Sequence, residues 1–383
     1  MDPDPGAGDA GPNARLLGSP GGRGRLDTPA LLVDGPALAR NIARMAALTA
    51  ARDVALRPHV KTHKSVAIAR MQVEAGAIGV SCATLGEAEA MVAGAIPGVL
   101  ITSPIVPEGK VARLIALARR AGPDGVMVVV DHPRNVRDLG AAAGGLGFPL
   151  GVLIDDAAGY HRTGVAGEAE ALALARAVAA EPALRLEGLQ AYAGNLQHIP
   201  DRRARASRAS ALRHALAGRI EALRRAGVRL GIVTGVGTGT HDLDSTERVF
   251  TEIQPGSYVF LDAEYGPILA DGPDGSPFET ALFVQATVVS TNAPDWVTTD
   301  AGAKSLSIDH AARIAHGCDP ASTYAVFGDE HGRLVTAGAR PDLGARIELV
   351  TPHCDPTVNL YDRLHVVAGE TLVAIWPIEA RGR

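Results

Sequence analysis

The segment Arg57-Pro58-His59-Val60-Lys61-Thr62-His63-Lys64 gathers two lysines and two histidines within eight residues. A lysine amine attacks a carbonyl, forming a Schiff base, when it is desolvated or set beside other cations, and Arg57, His59, His63 and Lys64 supply such neighbours. Lys61 is therefore the first catalytic candidate, against the plain alternative of a solvated basic turn. A second group, Thr234-Gly235-Val236-Gly237-Thr238-Gly239-Thr240, has glycines that let backbone amides approach an anion and threonine hydroxyls that add donors. It is a candidate phosphate cradle, although a glycine-rich turn without a ligand is common. The third group is Pro352-His353-Cys354-Asp355-Pro356-Thr357-Val358-Asn359. In extended chain, residues two apart project to one side, so His353 and Asp355 can grip one ion while Cys354 points away. One imidazole and one carboxylate suit a divalent cation that keeps several waters, with Mn²⁺ or Mg²⁺ favoured and Zn²⁺ open.

These residues need a scaffold to bring them together, and the apolar pattern supplies one. Apolar strand candidates cover residues 54–60, 77–83, 98–103, 126–131, 149–155, 186–192, 230–234 and 252–258. Helical patterns lie between them. Thr84-Leu85-Gly86-Glu87 is a capping box, residues 108–121 can end in a left-handed turn at Gly122, and residues 201–226 form another helix. Eight short buried strands alternating with helices fit a (β/α)8 TIM-type barrel better than a doubly wound sheet. Ahead of them, a strand at 29–33 precedes a helix begun by Asp34 and Pro36, with Leu38, Ile42, Met45 and Leu48 at helical spacing. From about Phe278 the pattern becomes strands joined by turns, at 281–290, 296–300, 323–327, 346–350, 365–367 and 371–376, with almost no helix. The expected organisation is an α/β chain with a disordered Gly/Pro-rich tail over 1–24, a barrel over 25–275, and a C-terminal all-β domain over 276–383 that carries the metal pair. The strand at 29–33 is assigned to that β domain.

Composition narrows the partners. A net charge of −5 over 383 residues gives no electrostatic case for nucleic acid or an anionic membrane, and no apolar run reaches the ~20 residues of a span. Cys82, Cys318 and Cys354 form no CxxC pair, and the start lacks the apolar core of a signal peptide, so the expected home is the cytoplasm and the expected partner a small molecule. Neither an NAD fingerprint nor a Walker motif is present. Barrel chemistry sits at the C-terminal ends of the strands, where Lys61, Arg162, Tyr192 and Thr234 fall in this assignment, and phosphate is commonly held after strands seven and eight. A lysine after strand one and a phosphate cradle after strand seven would together hold pyridoxal 5'-phosphate. Tyr192 would face its ring or stand as a core aromatic. Arg162 would bind its phenolate oxygen or a substrate carboxylate, or else make a surface ion pair.

The stretches Pro58-His59-Val60-Lys61-Thr62-His63-Lys64, Gly188-Leu189-Gln190-Ala191-Tyr192 and Gln254-Pro255-Gly256-Ser257-Tyr258, with residues 234–240 and 352–359, resemble the D-threonine aldolase and D-serine dehydratase family. These are fold-type III pyridoxal phosphate enzymes related to alanine racemase, and the resemblance spans roughly residues 26–378. It implies that Lys61 carries the cofactor, with His59, Arg162, Tyr192, Thr234, Gly237, Thr238, Gly239 and Thr240 as its surroundings. It also implies a metal on His353 and Asp355 beside the cofactor, and a homodimer. The dehydratase branch places histidine and cysteine two apart on zinc, the aldolase branch histidine and aspartate. His353 and Asp355 favour the aldolase branch, while a bulge would swap in Cys354. The implied reaction cleaves a β-hydroxy-D-amino acid to glycine and an aldehyde, with His353 and Asp355 holding the metal against the β-hydroxyl, metal-bound hydroxide or a nearby histidine such as His63 as the proton acceptor, and Lys61 returning a proton. D-serine dehydratase chemistry, giving a 2-oxo acid and ammonia, and D-3-hydroxyaspartate aldolase chemistry are the alternatives.

Overall fold

A computed structural model describes residues 11–245, 248–270 and 275–382. The chain forms two compact units, one of residues 45–61 and 68–256, the other of the chain before residue 45, residues 62–67 and residues 257–381. Strand β1 (Ala30–Asp34) and helix α1 (Gly35–Ala51) come first. There follow β2 (Ala55–Leu56), α2 (Val66–Glu74), β3 (Val80–Cys82), α3 (Leu85–Ala93), β4 (Val99–Ile101), α4 (Glu108–Ala121), β5 (Val126–Val130), α5 (Pro133–Ala143), β6 (Leu150–Asp156), α6 (Glu168–Ala179), β7 (Leu184–Ala191), α7 (Arg202–Arg225), β8 (Ile232–Gly235), α8 (His241–Asp244) and β9 (Glu252–Ile253).

Strands β2 to β9 make one parallel sheet of eight in the order β2-β9-β8-β7-β6-β5-β4-β3. Its two edge strands meet, since His59 bridges Ser81 and the Ser81 amide donates to the Pro58 carbonyl at 2.9 Å, so the sheet closes as a barrel. The expected alternation is therefore the observed one. Strands β5 and β6 are buried at every position, as parallel strands covered on both faces must be. Local signals work as read. Thr84 caps α3 by accepting from the Glu87 amide at 3.2 Å, while Glu87 Oε2 takes the Ala83 amide at 2.6 Å. Glu108 in the first turn of α4 and Arg119 and Arg120 in its last turn oppose the helix dipole, and Gly122 at φ 79 stops the helix.

One residue of the basic segment departs from its expected role. Arg57 is 4% exposed, and its Nε and Nη2 meet Glu252 Oε1 and Oε2 at 2.8 and 3.0 Å, while Nη1 donates to the Gly98 carbonyl. A Cβ on Gly79 would stand 2.8 Å from Nη1, so the guanidinium lies against the starts of β3 and β4. Arg57 is thus no cationic neighbour for a lysine at the strand C-termini. A buried cation must find an anion, and Glu252 supplies it.

The second unit contains α9 (Tyr265–Ala270), β10 (Leu282–Ser290), β11 (Val297–Thr299), β12 (Arg313–His316), β13 (Thr323–Val326), β14 (Gly332–Val335), β15 (Arg346–Val350), α10 (Cys354–Val358), β16 (Arg363–Ala368) and β17 (Thr371–Pro377). Its nine-stranded sheet runs β13-β14-β11-β10-β1-β16-β17, with β15 joining β10 to β12. Strand β1 pairs antiparallel with β10 and parallel with β16. Strands β12 and β14 are additions to the expected set; at four residues each they are too short to display an apolar period in the sequence.

The described part of the expected disordered tail is ordered. Residues Pro12–Leu16 and Arg23–Arg25 form single 3-10 turns, and Leu16 and Leu26 pack with Ala30, Leu32, Phe283, Val350, Val367 and Leu372. Asn13 Nδ2 lies 3.0 Å from His365 Nε2, and Arg23 grips Glu348 at 2.8 and 2.6 Å. Glycines here make turns, Gly18 and Gly21 lying at φ 70 and 66. Residues 1–10 of that tail lie outside the described residues. No described helix is long and apolar enough to cross a membrane.

Candidate active site and metal centre

In the barrel unit, β2 runs out into a 3-10 turn, Val60–Thr62, that carries Lys61 half-buried. His59 ahead of it is fixed from three sides. Its amide donates to the Pro255 carbonyl at 3.1 Å, its Nδ1 faces the Lys61 amide at 3.4 Å, and its Nε2 faces Thr102 Oγ1 at 3.2 Å. The chain has four lysines. Lys110 is exposed on α4, Lys304 is exposed and paired with Glu330 at 2.7 Å, and Lys64 reaches the Ala380 carbonyl at 3.4 Å. Lys61 is the one placed at a barrel strand end.

The strand ends share a buried polar network, most of it unannounced by the motifs. Gln190 Nε2 donates to the Thr102 carbonyl at 3.0 Å and to Asp155 Oδ1 at 2.9 Å. Gln254 Nε2 donates to Thr234 Oγ1 at 2.9 Å and reaches Gln190 Oε1 at 3.4 Å. His59 and Thr234, both expected site residues, are thereby joined through Thr102, Gln190 and Gln254. The available signal was a polar residue closing an otherwise apolar strand, as in Leu189-Gln190 and Ile154-Asp155. Burial raises the Asp155 carboxyl to about 6 against the opposing hydrogen bonds of Thr163 and Gln190. Because the folded pKa lies above the unfolded one, the associated stability is full below about pH 4 and is lost as pH rises to about 6. Asp155→Asn should therefore flatten the stability profile between those limits, by on the order of 3 kcal/mol. Thermal melts of both proteins from pH 4 to 7 check this, and parallel profiles would refute it.

The loop after β8 is compact. A Cβ on Gly239 would overlap the Gln197 backbone, so only glycine fits there, a Cβ on Gly237 would press on the Gln197 side chain, and Val236 sits at φ 61. Thr238 and Thr240 are buried, and the Thr240 hydroxyl meets Gln197 Nε2 at 3.1 Å and also bonds Asp244. Thr240 thus orders the loop beside the glycine amides. Arg162 lies 5.5 Å from the Tyr160 ring centre and 5.7 Å from that of half-buried Tyr192. Its partners are aromatic faces, and the structure brings these two expected residues together. An amine, side-chain-free backbone amides, a threonine hydroxyl and a guanidinium at one barrel's strand ends fit pyridoxal phosphate in donor chemistry.

His63, in the other unit, is fully buried, and its Nδ1 accepts from the Ser65 amide at 3.1 Å. That bond engages Nδ1, leaving Nε2 as the ring nitrogen for any proton transfer at His63.

The expected extended chain at 353–355 is half right. His353 is extended, at φ −139 and ψ 132, but it caps the short helix α10, which begins at Cys354. Pro356 falls in the first turn, where a missing N–H costs nothing, and Asp355 there suits the helix dipole. Cys354 is fully buried, and burial together with Asp262 and Asp355 pushes its thiol well up.

Two residues the sequence did not single out, Asp262 and Glu264, face His353 Nδ1 at 3.0 and 3.2 Å. Burial lowers the His353 pKa, but the Asp262 hydrogen bond and the charges of Asp355, Asp262 and Glu264 outweigh it and lift it to about 8. Three carboxylates about one imidazole carry an excess of negative charge that a divalent cation would balance, so the donor set fits a metal. Among the described residues no three His, Cys, Asp or Glu side chains enclose an ion. A metal on His353 and Asp355 would keep positions for water and substrate.

Comparison with known proteins agrees with this architecture. Residues 33–264 match the alanine racemase, N-terminal domain family, and residues 281–367 match a serine dehydratase domain family. The sequence is 40% identical to a D-threonine aldolase from an Arthrobacter species over 94% of this chain and 93% of that protein. It is 35% identical to a 3-hydroxy-D-aspartate aldolase of Paracoccus denitrificans, with the same coverage. The crystal structure of D-threonine aldolase from Filomicrobium marinum superposes with a TM-score of 0.89 at 40% identity, covering 94% of this chain and 96% of that one. The chain belongs to the alanine racemase-like family of barrel enzymes that includes D-threonine aldolase.

Proposed function

We propose that the protein is a pyridoxal 5'-phosphate- and divalent-metal-dependent lyase that cleaves β-hydroxy-D-amino acids of the D-threonine type to glycine and an aldehyde. The observation that carries the aldolase reading is the placing of His353 and Asp355 about the start of one short helix, with Cys354 between them fully buried. Bound pyridoxal phosphate supplies a carbonyl and an electron sink, and the metal a Lewis acid that lowers a hydroxyl's pKa. Lys61 holds the cofactor through its amine and returns a proton to the product carbon. The Gly237 and Gly239 amides with Thr238 receive the phosphate, and the His59–Thr102–Gln190–Gln254 network keeps these strand ends dry and fixed. His353 and Asp355 hold the cation, with Mn²⁺ or Mg²⁺ favoured by the oxygen ligand. A cytoplasmic homodimer completes the reading, the compartment supported by three free cysteines and the homodimer by the family resemblance.

The likeness to a 3-hydroxy-D-aspartate aldolase makes that substrate the second reading. The test is product analysis with D-threonine, D-3-hydroxyaspartate and D-serine, each with Mn²⁺ and with chelator. Glycine with acetaldehyde from D-threonine supports the proposal, glycine with glyoxylate alone moves the substrate, and 2-oxo acid with ammonia rejects aldolase chemistry. In the same assay Asp355→Ala should lose metal-stimulated turnover while Cys354→Ser retains it. The reverse result would assign the ligand role to the thiol.

A further inference from the structure

Asp262 has no part in the ligand pair, yet its carboxylate is completely buried and gathers donors from two separate segments. Oδ1 accepts the Tyr265 amide at 2.8 Å, and the Asp262 carbonyl accepts the Gly266 amide at 2.9 Å, so the residue caps α9. Oδ2 accepts the Cys354 amide at 2.9 Å and faces His353 Nδ1 at 3.0 Å. Two backbone amides thus hold the carboxylate still while it addresses the imidazole. Glu264 is a poorer anchor, since its second oxygen is shared with exposed His310 at 3.3 Å.

We infer that Asp262 is a positioning residue for the metal centre: it keeps the hydrogen of neutral His353 on Nδ1 and ties the ring to the start of α10, presenting Nε2 and the Asp355 carboxylate together as ligands. The inference rests on the metal reading above. A ring free to rotate or change tautomer would carry a hydrogen on Nε2 in part of the population, and each such molecule would have to reorganise before binding a cation. Carboxylate partners of ligating histidines act in this way, and their loss commonly weakens metal binding about 10–100-fold.

The test measures binding and tautomer, not turnover. Cofactor-loaded, metal-stripped enzyme is titrated with MnCl₂ by calorimetry, and the His353 ring nitrogens are assigned by ¹⁵N NMR at alkaline pH. Unaltered protein should show Nδ1–H at His353; Nε2–H there would overturn the inference without any variant. Asp262→Asn should weaken Mn²⁺ binding about 10–100-fold and shift the tautomer, whereas Glu264→Gln should change the affinity less. Equal affinities in the unaltered protein and Asp262→Asn would reject the positioning role while leaving the metal reading intact. Failure of the unaltered protein to bind Mn²⁺ would reject both.

Discussion

Lys61→Ala is expected to abolish the visible band of amine-bound pyridoxal phosphate and to lower turnover by roughly 10⁴-fold or more, the scale seen when a covalent nucleophile is removed. Borohydride treatment followed by peptide mapping should locate the reduced cofactor on Lys61 in the unaltered enzyme and on no residue in the variant. The expectation rests on elimination as well as motif. Lys110 and Lys304 are exposed, and Lys64 reaches the Ala380 carbonyl from a left-handed backbone at φ 51. Lys61 alone of the four combines partial burial with a place beside a fixed histidine at the end of a barrel strand. Lys64→Ala should accordingly leave the band in place. A Lys61→Ala protein that keeps its absorption, or a map that places the label on Lys64, would end the assignment.

Glu252→Gln is expected to lower folding stability by about 3–5 kcal/mol, the usual cost of stranding one member of a buried ion pair. Arg57 and Glu252 are both nearly inaccessible and meet through two parallel bonds, so a neutral amide in place of the carboxylate would leave the guanidinium with the Gly98 carbonyl as its remaining strong acceptor. Replacing both partners, as Arg57→Met with Glu252→Leu, should recover most of the loss, because neither charge is then buried alone. Denaturant unfolding with cofactor present measures this. The folded fraction of Glu252→Gln should retain its cofactor band, since the pair serves closure of the barrel. A variant within about 1 kcal/mol of the parent, the range of exposed pairs, would show that the pair is solvated in solution.

Much of the fold is local and so was legible. Burial on both faces writes a strand as a short apolar run, and the loops between such runs are where Lys61, Tyr192 and residues 234–240 had to fall. Thr84 and Gly122 act through neighbours three or four residues away, within reach of a pattern. The His353–Asp355 spacing was legible as well, although the turn of α10 between them was not: five residues are too few to display a helical period. Glycine-rich residues 11–24 read as disorder because their anchors, His365, Leu372 and Glu348, stand more than three hundred residues away.

By itself the sequence determined the eight-strand alternation and the β-rich C-terminal unit, and singled out Lys61 and the His353–Asp355 spacing as candidates, since each is carried by spacing within one element or loop. Tertiary structure alone decided the partners. It paired Arg57 with Glu252 across 195 residues, set Asp262 against His353 across 91, and gave β1 to a sheet with β10 and β16. The physical reason is that a residue's own chemistry states that a buried charge or ring nitrogen must be satisfied. Only closure of the chain states by whom.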